Sequence, residues 1–255
     1  MKLAIMQPYF MPYLGYFQAI YAVDKYIISE HVNFIKGSWI NKNRLRFKNN
    51  PDYLIIVPLK GASSNRLISD LQIDNNQDWV GKILKNVAVS YKKAPFFLEV
   101  FPLIEKVLSP KYEYIHQLNA SSIVSIARYL DIDTNIQICT DDYLPLEREL
   151  MSIENGDYSL FKEFEQLKTE RKVIRIVKMC RNEGAEVYIN AIGGVNIYSR
   201  EEFKNYGINL KFIKMDDIIY NQQSKDFISN LSIIDVLMHN GKEGTVKLLK
   251  QYTLI

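Results

Sequence analysis

Only two cysteines, Cys139 and Cys180, occur in the 255-residue sequence, each inside an apolar stretch. Neither a disulfide framework nor a zinc ligand set can be assembled from them, so a reducing compartment, the cytoplasm, is expected. No run approaches the ~18 consecutive apolar residues of a membrane span. The opening MKLAIMQPYFMPYLGYF has no apolar stretch of signal-peptide length and no small-residue cleavage site, which argues against the usual secretory route. Excess charge is also missing. The 32 basic and 29 acidic residues leave a net charge of +3, too little to imply a nucleic-acid partner. There is no internal repeat and no low-complexity segment. Walker A, G-x-G-x-x-G, H-E-x-x-H and G-x-S-x-G patterns are all absent, so P-loop ATP hydrolysis, classical dehydrogenase chemistry and metal hydrolysis lack support.

What is present is an ordinary globular composition, 47% hydrophobic and 24% charged, in a chain long enough to bury a core without staples. Tyrosine stands out, at 17 against 12 Phe and 2 Trp. A ring with a hydroxyl suits a site that stacks on sugars or bases, though tyrosine is also a plain core residue. Leu3 to Met6 reads as a buried strand ended by Gln7-Pro8, Gly15 to Val23 as a helix, and Tyr26 to Ser29 as a second strand. That order predicts a βαβ unit with parallel strands. Trp39 to Phe47 and Tyr53 to Leu59 are further expected strands around the turn Lys48-Asn49-Asn50-Pro51. Residues 78–130 form a mainly helical subregion with breaks near Pro95 and Pro110. Ile136 to Cys139 returns to strand, Phe161 to Asn182 reads as one long amphipathic helix, and Glu186 to Ile189 and Leu210 to Ile213 read as strands around a short helix at Arg200 to Tyr206. Ser232 to His239 and Gly244 to Tyr252 are expected to end the chain as helices. The expected class is α/β, a single domain over residues 1–255 with flanking helices and a helical segment in the middle third.

Ligands of open α/β sheets sit beyond the carboxyl ends of the strands. That rule selects Gln7 and Tyr9 after the first strand, Glu30, His31 and Asn33 after the second, Asp141 and Asp142 after the strand ending at Thr140, and Asn190 with Gly193-Gly194 after the strand ending at Ile189. His31 is the sharpest candidate, because imidazole is the side chain suited to proton transfer near neutrality and only three histidines occur. A surface histidine after a strand reads the same way. In Trp39-Ile40-Asn41-Lys42-Asn43-Arg44 an extended chain puts Asn41 and Asn43 on one face, and Arg44 offers a planar fork for phosphate or carboxylate. Asp235 and His239, four apart, share a helical face as a possible acid–base pair. Ser232-x-x-Asp235 reads equally as a capping box. His116 precedes a helical run and carries no motif.

The stretch Ala4-Ile5-Met6-Gln7-Pro8-Tyr9-Phe10-Met11-Pro12-Tyr13-Leu14-Gly15-Tyr16-Phe17 closely resembles the opening of WbqC-like proteins. The likeness continues through His31-Val32-Asn33-Phe34-Ile35-Lys36, Trp39 to Arg44, Val57-Pro58-Leu59, Tyr91 to Phe97, Tyr188 to Gly194 and Leu231 to Met238. It spans nearly the whole chain. It implies a place in bacterial surface polysaccharide and O-antigen synthesis, hence nucleotide-sugar modification in the cytoplasm. Many relatives carry paired acidic residues where this chain has Glu30-His31. The loop from Gln7 to Tyr16 also resembles the strand-to-helix loop of nucleotidylyltransferases, with Tyr13 and Tyr16 in place of that family's two histidines. This likeness favours a Rossmann-like, mostly parallel sheet and counts against adenylyl transfer.

The expected activity is acyl or aminoacyl transfer onto a nucleotide-linked amino sugar, from an acyl or aminoacyl thioester or an acyl-carrier donor. His31 would act as base, Asn41 and Asn43 would stabilise the oxyanion, Arg44 or Lys60 would hold phosphate, and Tyr9 and Tyr16 would line the pocket. Trp39, Asn33, Asn190 and Gly193 complete the substrate-binding set, with Asp235 and His239 as further catalytic candidates. No resident metal or cofactor is expected. A glycosyl- or nucleotidylyltransferase is the rival, needing a divalent cation on Asp141 and Asp142. A non-catalytic nucleotide-sugar-binding assembly factor is the other.

Overall fold

The computed structural model describes residues 1–47, 50–138, 140–154, 156–224 and 226–255. Lys48 and Asn49 of the expected turn, and Cys139, lie outside the described residues. Strand β1 (Lys2–Met6) is apolar after its first residue and leads through a loop into helix α1 (Leu14–Tyr21). Strand β2 (Lys25–Ile28) returns parallel to β1, with Leu3 opposite Lys25 and Met6 opposite Ile28. The expected βαβ unit is there. Strands β3 (Lys42–Phe47) and β4 (Asn50–Ile56) form a separate antiparallel pair.

Helices α2 (Trp79–Tyr91), α3 (Phe97–Leu108) and α4 (Ile115–Tyr129) fill the middle third and break where the prolines predict. They are followed by β5 (Asn135–Gln137), α5 (Leu144–Glu149) and α6 (Met151–Glu154). The long helix expected over Phe161 to Asn182 is two helices, α7 (Lys162–Glu165) and α8 (Arg171–Asn182). Lys168 between them takes a left-handed φ of 46°. The break lets Thr169 bury its side chain against the Tyr206 hydroxyl while its carbonyl accepts from Tyr158 at 3.0 Å. These tertiary partners override a helical pattern that is locally continuous.

Strand β6 (Val187–Ala191), helix α9 (Arg200–Asn205) and strand β7 (Asn209–Met215) precede α10 (Ile233–Leu249) and β8 (Tyr252–Leu254). The main sheet has the order β5-β2-β1-β6-β7-β8, parallel except for β8 at the edge. The fold is therefore α/β, a mostly parallel sheet with helices on both faces. Tyr252 was expected to end a helix, but it opens strand β8. Tyr252 to Leu254 complete the open edge of β7, with Ile213 opposite Leu254. The two expected terminal helices meet at Gly241, where φ is 60° and ψ is −165°.

Alternation along the strands sorts side chains into two cores. Leu3, Ile5, Ile27, Tyr188, Leu210 and Phe212 enter one, beneath α8 and α9. Ala4, Tyr26, Ile28, Ile189 and Ile213 enter the other, shared with α1, α10 and the α2–α4 helices. No helix among the described residues is long and apolar enough to cross a membrane. Gly241 shows how tightly the second core is closed. A Cβ there would meet the Phe96 ring at 2.5 Å, and the left-handed φ adds strain. Gly241→Ala is expected to cost about 1–3 kcal/mol, read as a lower midpoint in urea. An unchanged midpoint would show that the kink is dispensable.

Candidate functional site

From β1 the sheet grows in both directions, to β2 on one side and β6 on the other. This is a topological switch point, where strands diverge and leave a crevice at their carboxyl ends. A cavity of about 620 Å³ occupies it, between the ends of β1, β6 and β7 and the start of α1. Its wall is the loop from Gln7 to Tyr13. A loop packed this deeply needs partners for its backbone carbonyls. Asn119 Nδ2 donates to Pro8 at 2.9 Å, and Asn43 Nδ2 donates to Phe10 at 2.9 Å and Met11 at 2.7 Å. Ser232 Oγ adds a bond to Met11 at 2.8 Å, and the Tyr16 hydroxyl donates to Gln7 at 3.0 Å. Polar side chains far apart in sequence thus fix one loop.

Pro12, Tyr13 and Gly15 place the first turn of α1 on the cavity, and Tyr13 at the N-cap makes no side-chain capping bond. The positive end of α1 faces the space. Gly15 is needed there, since a Cβ would lie 2.5 Å from the Tyr13 ring. Gly15→Ala is expected to push that ring into the cavity and weaken ligand binding at unchanged helicity; equal affinity in a titration would contradict this. Tyr9, Tyr13 and Trp39 supply aromatic walls, and Arg44 and Lys214 supply positive charge. The described residues that line the cavity include no Asp, Glu or His. Gln18 also lines it, fully buried. Its Nε2 donates to the carbonyls of Leu248 and Gln251, each at 2.9 Å, while Oε1 has no partner among the described residues.

A second cluster lies one strand over, past β2 and β5. His31 Nε2 is 2.9 Å from Asp141 Oδ1, and Nδ1 is 3.2 Å from Ser69 Oγ. Glu30 Oε1 stands 3.7 Å from the same Nε2 and accepts from the Thr140 amide at 2.9 Å. Glu30 is buried, and its Oε2 has no partner among the described residues. His31 opens onto a concavity of about 340 Å³ together with Asn33, Leu67, Arg171, Lys172 and Arg175. Those cations are already paired: Arg171 and Arg175 with Glu147, and Lys172 with Glu170.

A family model described as the WbqC-like protein family matches residues 7–247. The chain belongs to this family. An uncharacterized protein of Mycobacterium tuberculosis is 24% identical over 246 residues, covering 95% of each chain. No solved structure matches.

In this WbqC-like protein Tyr9, Trp39, Asn43, Arg44 and Gly193 of the sequence-derived set line the switch-point cavity. The others do not. Tyr16 is a core residue, 1% exposed and ringed by Tyr9, Phe17 and Tyr26. Gln7 contributes its carbonyl to Tyr16. Asn43 has both amide hydrogens committed to the loop, so it has none left for an oxyanion, and Asn41 donates to Val57 at 3.0 Å. Lys60 is exposed and holds the Gln72 carbonyl through its amide. Asn190 follows Tyr188 on the opposite face of β6 and donates to its hydroxyl at 3.2 Å. Asp142 is outside the Glu30–His31–Asp141 cluster.

Asp235 is completely buried and accepts from Tyr91 at 2.9 Å, Tyr220 at 2.7 Å and Gln222 at 3.0 Å. His239 Nε2 lies 3.9 Å from its Oδ2. Neither residue lines the cavity. The capping box is not formed either. Ser232 does cap α10, accepting from Ile234, but its own amide donates to the Arg44 carbonyl.

Sequence reasoning missed Tyr13, Gln18, Lys214, Asn230 and Ser69. Lys214 was within reach, since it is next to last in β7 as Asn190 is in β6. Gln18 left a trace as the one amide in LGYFQAIY. Ser69 left none.

Burial holds the pKa of both His116 and His239 below the ordinary 6.5. The unfolded chain then binds more protons than the folded one as pH falls past about 6.5. Stability is therefore expected to be fully present above that pH and to decline below it. A melting temperature that holds steady from pH 7 to 5 would contradict this.

Proposed function

We propose that the protein transfers an acyl or aminoacyl group onto the amine of a nucleotide-linked amino sugar. The observation that carries the reading is the switch-point cavity, which joins two cations, a helix N-terminus and three aromatic rings in one space. A diphosphate suits the start of α1 with Arg44 and Lys214 beside it, since backbone N–H groups and the helix dipole favour an anion there. Sugar and base suit Tyr9, Tyr13 and Trp39.

Proton transfer is assigned to the centre built on His31, which lies outside the cavity lining. The sugar's amine must therefore extend from the cavity past the end of β1 to the end of β2. The attacking amine gives its proton to the imidazole, or to a solvent molecule held there, as its nitrogen bonds the acyl carbon and the donor's thiolate or alkoxide leaves. Asp141 orients the ring, and surface polysaccharide synthesis is the setting the family likeness suggests. The test is incubation with a nucleotide-linked amino sugar and a panel of thioester and aminoacyl donors, read by mass spectrometry. One acyl increment on the sugar nucleotide is expected. A substrate returned unaltered with every donor sinks the reading.

Glycosyl or nucleotidylyl transfer is the second reading, favoured by the grouping of Glu30, His31 and Asp141. It predicts no acyl increment with any donor and instead a glycosyl or nucleotidyl group transferred.

A further inference from the structure

We propose that Glu30, His31 and Asp141 form a binding site for one divalent transition-metal cation of the zinc or manganese class. Each residue offers a ligand atom, one imidazole nitrogen and two carboxylate oxygens, and all three lie within 4.8 Å of one another. They come from the ends of adjacent strands, β2 and β5, so the sheet itself sets their spacing. The Nε2 of His31 is the shared centre, 2.9 Å from Asp141 Oδ1 and 3.7 Å from Glu30 Oε1. These are the separations at which three donors can turn toward one ion.

The independent observation is the state of Glu30. Its side chain is 4% exposed, its ion-pair partner among the described residues is His31, and Oε2 has no hydrogen-bond partner among them. A buried carboxylate oxygen left without a partner is unfavourable, and buried charges are usually paired or coordinate metals. A cation supplies the missing charge. Among cations the imidazole selects for transition metals, because magnesium and calcium prefer oxygen alone. Three protein donors leave coordination positions open, toward the 340 Å³ concavity that His31 lines. Ser69 Oγ, 3.2 Å from Nδ1, is placed to fix the ring so that Nε2 faces the ion.

The inference does not rest on acyl transfer, because its readout is metal content. With the ion bound, His31 is a ligand, and the proton acceptor in the transfer reaction becomes solvent on the ion.

The experiment is zinc titration of the metal-stripped protein by calorimetry, with bound zinc counted after gel filtration. The expected result is one equivalent retained. Glu30→Gln and His31→Gln are each expected to weaken binding by at least roughly 10²-fold, since even outer partners of a metal site cost about 10–100-fold. Asp142→Asn, one residue outside the cluster, should bind as wild type does. Zinc should raise the melting temperature of the wild type and not of the two ligand variants. Glu30→Gln without metal should melt no lower than the metal-stripped wild type, because the amide keeps an acceptor for Thr140 and removes the buried charge. No retained zinc, or zinc held equally well by both ligand variants, overturns the proposal.

Discussion

Asp235→Ala is expected to lower the melting temperature by roughly 6–20 °C. The carboxylate is completely buried and receives three hydrogen bonds, from Tyr91, Tyr220 and Gln222. Truncation leaves those donors facing a small void. Removing one partner from a buried network of this kind costs about 3–5 kcal/mol, and each kcal/mol moves the midpoint by roughly 2–4 °C in a chain of this size. The network ties α10 to α2 and to the segment before α10, so the loss falls on the helix whose N-cap, Ser232, also holds the cavity wall. Asp235→Asn keeps one oxygen and the side-chain volume, and should lose less. Its turnover per folded molecule should stay near wild type. A stable, inactive Asp235→Asn would return Asp235 to the reaction.

His31→Gln is expected to reduce kcat by roughly 10²–10⁴-fold, the usual contribution of a positioned proton acceptor. The residue follows β2, outside both hydrophobic cores, so the fold should persist although its side chain is only 11% exposed. Glutamine can still bond Asp141 and Ser69. KM for the sugar nucleotide should change little, because His31 is not among the residues lining the switch-point cavity. A histidine with a purely structural role behaves differently: the melting temperature falls and kcat stays. That outcome would remove His31 from the mechanism.

The parts of this fold that follow from local pattern were legible. Leu3–Met6, the helix after Gly15 and the strand ending at Ile28 announce a parallel unit through hydrophobic period and order alone. The prolines mark the breaks between α2, α3 and α4. What was not legible is set by distant partners. Thr169 leaves its helix for Tyr206, and Tyr252–Leu254 becomes strand because β7 has an open edge. The same distinction governs the site. The strand-end rule found His31, Asp141 and Gly193, which are consequences of topology. It placed Asn190 by number and not by face, and one residue along β6 separates the cavity from the opposite core. Asn43 looked like a free donor because nothing in the sequence says that the Phe10 and Met11 carbonyls need it.

In the proposed function a nucleotide-linked amino sugar occupies the switch-point cavity, between the start of α1, Arg44, Lys214 and the Trp39 ring. Calorimetric titration of such a sugar nucleotide into the wild type, Lys214→Gln and Trp39→Ala tests it most directly. The account predicts saturable binding at one site, weakened roughly tenfold by loss of a phosphate cation or of a stacking ring, each worth about 1–2 kcal/mol. Both positions are exposed enough for the variants to fold. No binding by the wild type, or affinities unchanged in both variants, would contradict it.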